Sequence, residues 1–210
     1  MADTQNQQDT EALSRAVECL KDGGVVAITT DTLFGLAADV FNTAAIDRVF
    51  AVKGRPENLA LPALVNGWEQ LALVAKEVPP QTKRLTERFW PGGLTLVVPK
   101  ADAVPDRLTA GGPTVAVRMP DHPAPMALID GLGGPVTGTS ANISGAPDLA
   151  SLDDLAAQIG EQVDYILDFG PPPQGTQSTV VDITTDTPKL LREGAIPFAS
   201  VIEVWEAAST

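Results

Sequence analysis

The segment LTLVVPKADAVPDRLTAGGPTVAVRMP, residues 94–120, carries two β-branched, apolar runs, LTLVVPK and TVAVRMP. Both read as strands. Helical patterns flank them. PPQTKRLTERF, ended by Pro91 and two glycines, precedes the first run, and HPAPMALIDGLGG follows the second. Working outward toward the N-terminus, TEALSRAVECLKDGG has a Thr cap, helical spacing and terminating glycines, and VVAITT after it is a buried strand. The loop TTDTLFGLAADVFN leads to a helix in TAAIDRVFAVKGRP, closed by Gly54 and Pro56. LPALV is a short strand and residues 67–76 a helix. Toward the C-terminus, PVTG is a brief strand, SLDDLAAQIG a helix, and VDYILDFG, QSTVVDIT and PKLLREG are three more strands. Helices alternating with short apolar strands give an α/β class, a mixed sheet with helices packed over it. Residues 1–9 are expected to be a disordered tail, 10–206 a single domain, and 207–210 a short tail.

A chain of 210 residues has one domain by length and can bury a sizeable core. No apolar run reaches the roughly twenty residues a membrane span requires, and the polar start MADTQNQQDTEA has no signal-peptide pattern. These features predict a cytoplasmic protein with no membrane partner. Cys19 is the sole cysteine, which excludes a disulfide framework and a Cys-based zinc site; it reads as a small core hydrophobe. His122 is the sole histidine, and a loop or helix-cap position suits it better than catalysis. A net charge of −13 disfavours generic nucleic-acid binding, so the position of each of the few cations is informative.

Those cations fall at chain reversals. Arg118 and Arg192 end apolar strands, and Lys53 and Arg55 sit where a helix turns in VKGRP. Taken singly, such residues have ordinary explanations at helix and strand ends. Taken together in an acidic chain, they point to a pocket where strand ends meet. The uncharged run PVTGTSANISG, residues 135–145, complements them with hydroxyls, an amide and exposed backbone N–H groups. No Walker, dinucleotide-binding or GxSxG motif is intact. Transfer at phosphorus needs positioning and electrostatic stabilisation rather than a histidine base, so these residues imply a phosphoanhydride ligand plus a small acid.

From about residue 11 to 205, the ordered segments TTDTLFGLAAD, KGRP, FWPGGLTLVV, TVAVRMPDHP, TSANISG, STVVDIT and LLREGAI resemble the YrdC-like L-threonylcarbamoyladenylate synthases, in their short single-domain form. The resemblance implies a twisted α/β fold with a concave, basic cavity. It implies that ATP, L-threonine and bicarbonate (or CO2) become threonylcarbamoyl-AMP and pyrophosphate, for threonylcarbamoyladenosine at tRNA position 37. Mg2+ would enter with the ATP, no metal site is implied in the protein, and a tRNA-modifying transferase complex would act downstream. By the family's KxR and SxN elements, Lys53, Arg55, Ser140 and Asn142 are the expected catalytic set, also touching ATP. Thr32, Arg118, Gly138 and Ser178 match threonine-binding positions, with Arg118 the carboxylate clamp. Thr114 and Arg192 match ATP-binding positions.

The sequence departs from the family pattern at Leu59 and Ala60, where Asn-Pro is usual, and at Asp148, where a serine is expected near phosphate. Thr29 and Phe34 are milder changes. Two rivals remain: a YciO-like divergent paralogue, and an ATP- or RNA-binding module without threonine-dependent turnover. The second would show weak, salt-dependent RNA affinity.

Overall fold

The computed structural model describes residues 2–207, with side chains from residue 7 onward. The first half of the chain runs α1 (Ala2–Lys21), β1 (Val26–Ile28), β2 (Gly35–Ala37), α2 (Thr43–Lys53), β3 (Ala63–Leu64), α3 (Trp68–Val74), α4 (Thr82–Phe89) and β4 (Leu94–Pro99). It continues through α5 (Asp106–Thr109), β5 (Thr114–Arg118), α6 (Pro123–Leu132), β6 (Val136–Thr137), β7 (Thr139–Ser140), α7 (Leu152–Ile159), β8 (Tyr165–Leu167), β9 (Thr179–Asp182), β10 (Lys189–Arg192) and α8 (Phe198–Glu206).

The strands make two mixed sheets, ordered β7-β2-β1-β8 and β10-β9-β4-β5-β3-β6. The α/β class is as the sequence predicts, but the expected single sheet is divided. The division arises at TGTSAN. Val136 and Thr137 pair with β3 in the larger sheet, while Thr139 and Ser140 pair with β2 in the smaller. The chain crosses between sheets at Gly138, whose N–H bonds to the Pro62 carbonyl at 2.9 Å. A Cβ there would lie 2.6 Å from Leu64 Cδ2, so the crossover requires glycine.

Strand alternation decides which side chains reach the space between the sheets. Leu94, Leu96 and Val98 of β4, with Val115 and Val117 of β5, enter the main core. Thr95, Ala116 and Arg118 face the other way, into a cavity. A second cluster seats α1 and α6 on β1 through Ala16, Leu20, Val26, Ile28, Leu128 and Ile129. Cys19 packs against that cluster at partial burial. His122 is the N-cap of α6: Nδ1 accepts from Ala124 N at 3.2 Å, and Nε2 donates to the Pro171 carbonyl at 2.9 Å.

Several elements differ from expectation. α1 begins at Ala2, where residues 1–9 were expected to be disordered, because nothing in ADTQNQQD breaks a helix. Met1, and residues 208–210 of the expected tail, lie outside the described residues. The expected loop after β1 contains β2, which hairpins antiparallel onto β1. α8, α5 and β7 were not anticipated. Arg84 Nη2 donates to the Trp205 carbonyl at 2.7 Å, tying α8 to α4. Among the described residues, no helix is long and apolar enough to cross a membrane.

Candidate active site

A cavity of about 300 Å³ lies between the two sheets. Of the ten site residues expected from the sequence, seven line it: Thr32, Arg55, Arg118, Gly138, Ser140, Ser178 and Arg192. Three do not. Lys53 and Asn142 lie one layer behind Ser140, and Thr114 lies farther along β5. Thr114 shares the cavity face of its strand with Ala116 and Arg118. Four residues of strand rise, roughly 13 Å, separate it from Arg118.

Arg118 is buried and reaches three acceptors. Nε donates to the Gly92 carbonyl at 2.8 Å, Nη1 to Thr32 Oγ1 at 2.8 Å, and Nη2 to Asp31 Oδ2 at 2.5 Å. The Arg118 and Asp31 side chains are 8% and 9% exposed. A guanidinium carries five N–H donors, so these three acceptors leave two. Burial pulls Arg118 below its ordinary pKa, and the Asp31 charge opposes that shift. Asp31 Oδ1 is buried with no hydrogen-bond partner. The loop holding Asp31 and Thr32 is fixed from within: Thr30 Oγ1 accepts from the backbone N–H of Thr32 and of Leu33, each at 3.2 Å.

Arg192 is bound to Ser178, donating from Nε and Nη2 to the Ser178 carbonyl at 3.1 and 2.9 Å, and from Nη2 to Oγ at 3.1 Å. Ser178 Oγ also lies 2.8 Å from Thr95 Oγ1. Arg55 closes the loop that departs from the family pattern, donating to the carbonyls of Leu59 at 3.2 Å and Ala60 at 2.9 Å. Those contacts use backbone oxygens, so the changed side chains leave them intact. Asp148 accepts from Gln177 Nε2 at 3.1 Å, and its charge raises the Arg192 and Lys53 pKa values against the larger effect of burial.

Behind the cavity wall, Lys53 is 2% exposed and surrounded by oxygen. Its Nζ donates to the Ser140 carbonyl, to the Asn142 carbonyl at 2.6 Å and to Asn142 Oδ1 at 3.4 Å. Burial, with the Arg55 charge adding to it, lowers its pKa to about 8. Asn142 Oδ1 also accepts from Ser140 Oγ at 2.5 Å, and Nδ2 donates to the Ala146 carbonyl at 2.6 Å.

Sequence reasoning missed Asp31, Thr30, Thr95 and Gln177. Thr95 carried a legible signal, a hydroxyl inside the otherwise apolar LTLVVP strand. Asp31, in TTDT, had none beyond its loop. No group of three or more His, Cys, Asp or Glu among the described residues is placed to hold a metal ion.

Comparison with known proteins identifies the family and the fold. The Sua5/YciO/YrdC family model, described as telomere recombination, matches residues 18–194. The threonylcarbamoyl-AMP synthase of Pyrococcus abyssi is 40% identical over 185 residues, 88% of this chain and 54% of its own length. The putative threonylcarbamoyl-AMP synthase of Mycobacterium leprae is 36% identical over 197 residues, 94% and 89% of the two chains. P. abyssi Sua5 solved with L-threonine superposes with a TM-score of 0.88 at 40% identity, covering 91% of this chain and 56% of that one. E. coli YciO gives a TM-score of 0.80 at 27% identity, covering 88% and 90%. This chain thus spans about half the length of its P. abyssi relative and nearly all of the M. leprae one. With the family model matching residues 18–194 and relatives 36–40% identical over most of its length, the chain belongs to the Sua5/YciO/YrdC family.

Proposed function

We propose that the chain is a threonylcarbamoyl-AMP synthase acting in the cytoplasm, consuming ATP, L-threonine and bicarbonate and supplying a tRNA-modifying transferase. One observation carries this reading. Three arginines and the hydroxyls of Thr32, Ser140 and Ser178 converge on a single cavity, and one arginine, Arg118, keeps donors for a carboxylate. The names of the relatives support it, as does the threonine bound in a structural neighbour.

In this reading the Arg118 fork takes the threonine carboxylate, with Thr32, Ser178 and the Gly138 backbone beside the amino acid. The threonine nitrogen bonds to the carbon of bicarbonate, water leaves, and a carbamate forms. A carbamate oxygen then attacks the α-phosphorus of ATP, the bond to the bridging oxygen breaks, and pyrophosphate departs with the electron pair. Arg55 and Arg192 face the developing phosphate charge, where fixed cations lower the barrier most. Ser140 orients the nucleotide. Thr114 lies too far along β5 to join Arg118 at one small ligand, and it contacts an extended nucleotide only at its far end. Mg2+ would enter on the ATP phosphates, and Asp148, whose field reaches Lys53 and Arg192, is the carboxylate that would help to hold it there. The ion would shield triphosphate charge from Asp148.

The test is pyrophosphate release from ATP and bicarbonate, with L-threonine, with L-serine and with neither. Threonine-dependent release is expected. ATP binding without threonine-dependent release would refute the synthase and favour a YciO-like divergence, consistent with the coverage of E. coli YciO.

A further inference from the structure

The Ser140–Asn142 turn is held from one side by a single residue. An ammonium has three N–H donors, and Lys53 has three oxygens within reach, all from this turn: the Ser140 carbonyl, the Asn142 carbonyl and Asn142 Oδ1. The backbone of Lys53 grips the same segment, its carbonyl accepting from Ser144 N at 2.8 Å. Lys53 is the last residue of α2, so that carbonyl is one of the helix-end acceptors that need a partner outside the helix. Gly54, at φ 54°, then turns the chain away. Lys53 is 2% exposed and does not line the cavity, whereas Ser140 does.

We propose that Lys53 is a positioning residue: it holds the Ser140–Asn142 turn so that the Ser140 hydroxyl faces the cavity, and it touches no ligand itself. The proposal rests on reading the cavity as the nucleotide site. Without the ammonium, the Ser140 and Asn142 carbonyls would lose their donor and Asn142 Oδ1 would keep only the Ser140 hydroxyl, and buried unsatisfied acceptors are costly enough to rearrange a turn. Asn142 belongs to the same internal brace, because its amide is taken up by Ala146 and its oxygen by Lys53 and Ser140. A flat guanidinium cannot direct donors at these oxygens as three tetrahedral N–H bonds do, so arginine is no substitute here. The lowered pKa of Lys53, about 8, is consistent with a cation withdrawn from water.

The role requires donors, whereas a phosphate-binding cation requires charge, and Lys53→Gln separates the two. The variants Lys53→Gln, Lys53→Met, Ser140→Ala and Lys53→Gln/Ser140→Ala are compared by pyrophosphate release and, independently, by calorimetric affinity for ATP. Melting temperatures verify the fold. Lys53→Met should lose roughly 100-fold in kcat/KM for ATP and Lys53→Gln roughly tenfold, with the double variant within about threefold of Ser140→Ala. Lys53→Gln as impaired as Lys53→Met would overturn the proposal. So would a double variant whose loss is the product of the singles, or a Ser140→Ala change without effect. If Lys53→Met does not fold, the cycle on Lys53→Gln decides alone. If the wild-type protein releases no pyrophosphate, the functional reading fails by itself, and the ATP affinities still test the brace.

Discussion

Lys53 and Arg118 are the two cations this fold buries most deeply, and they are neutralised in opposite ways. Arg118 is paired with a carboxylate, Asp31, and keeps two donors beyond its three acceptors. Lys53 has no carboxylate in contact, and its three donors are saturated by the oxygens of one turn. The first arrangement makes a ligand-ready fork with little net charge. The second leaves a net positive charge in the wall behind Ser140 without a donor to offer. Burial and sign are shared, yet only one of these residues has hydrogen bonds left for a substrate. Counting donors against acceptors distinguishes them where burial and sign alone would not.

Removing one partner of the Arg118–Asp31 pair should have the largest effect. Arg118→Ala leaves Asp31 buried without its cation, and a loss of about 3–5 kcal/mol in chemical denaturation is expected. Replacing both residues, Asp31→Leu with Arg118→Met, should recover most of that stability. A single variant as stable as the double would mean that the pair is not a buried ion pair in solution.

The crossover between the two regions is the next target. A Cβ at Gly138 meets Leu64 at 2.6 Å, and Leu64 is itself buried, so Gly138→Ala should cost about 1–3 kcal/mol. Unchanged stability would show that Leu64 yields freely and that the sheets do not depend on this close approach.

A subtler change separates the fork from its charge. Arg118→Lys retains the cation and loses the planar donors, and it should raise the KM for threonine roughly tenfold while that for ATP stays constant. Equal changes in both constants would break the assignment of Arg118 to the amino acid.

The smallest effect concerns Lys53 and pH. Its folded pKa is about 8 against an ordinary 10.5, so the buried ammonium penalises the fold below pH 8. Between those values the unfolded chain holds the proton more often than the folded one, and stability should rise with pH relative to Lys53→Met. Parallel stability curves for the two proteins would mean that the three oxygens hold the proton against burial.

These contrasts also show what the sequence could tell. LTLVVP and TVAVR read as strands because their alternation and β-branching are local properties, and seven cavity residues lay in ordered motifs. β2 and β7 were illegible because their pairing joins Gly35 to Ser140, over a hundred residues away, and neither run is long enough to mark itself. Lys53 and Arg55 looked equivalent in VKGRP, but helix geometry sends one behind Ser140 and leaves the other on the cavity. Asp31 escaped notice because its meaning depends on Arg118, which reaches it only in the folded chain.

The central claim is that one cavity joins threonine, a one-carbon unit and the adenylyl group of ATP. The most direct test is mass spectrometry of the nucleotide product formed with L-threonine, ATP and carbon-13 bicarbonate. The account predicts an adenylate carrying both threonine and the labelled carbon, lost when Arg118 is changed to Ala. Pyrophosphate released with only AMP formed, or a product without the label, would contradict it.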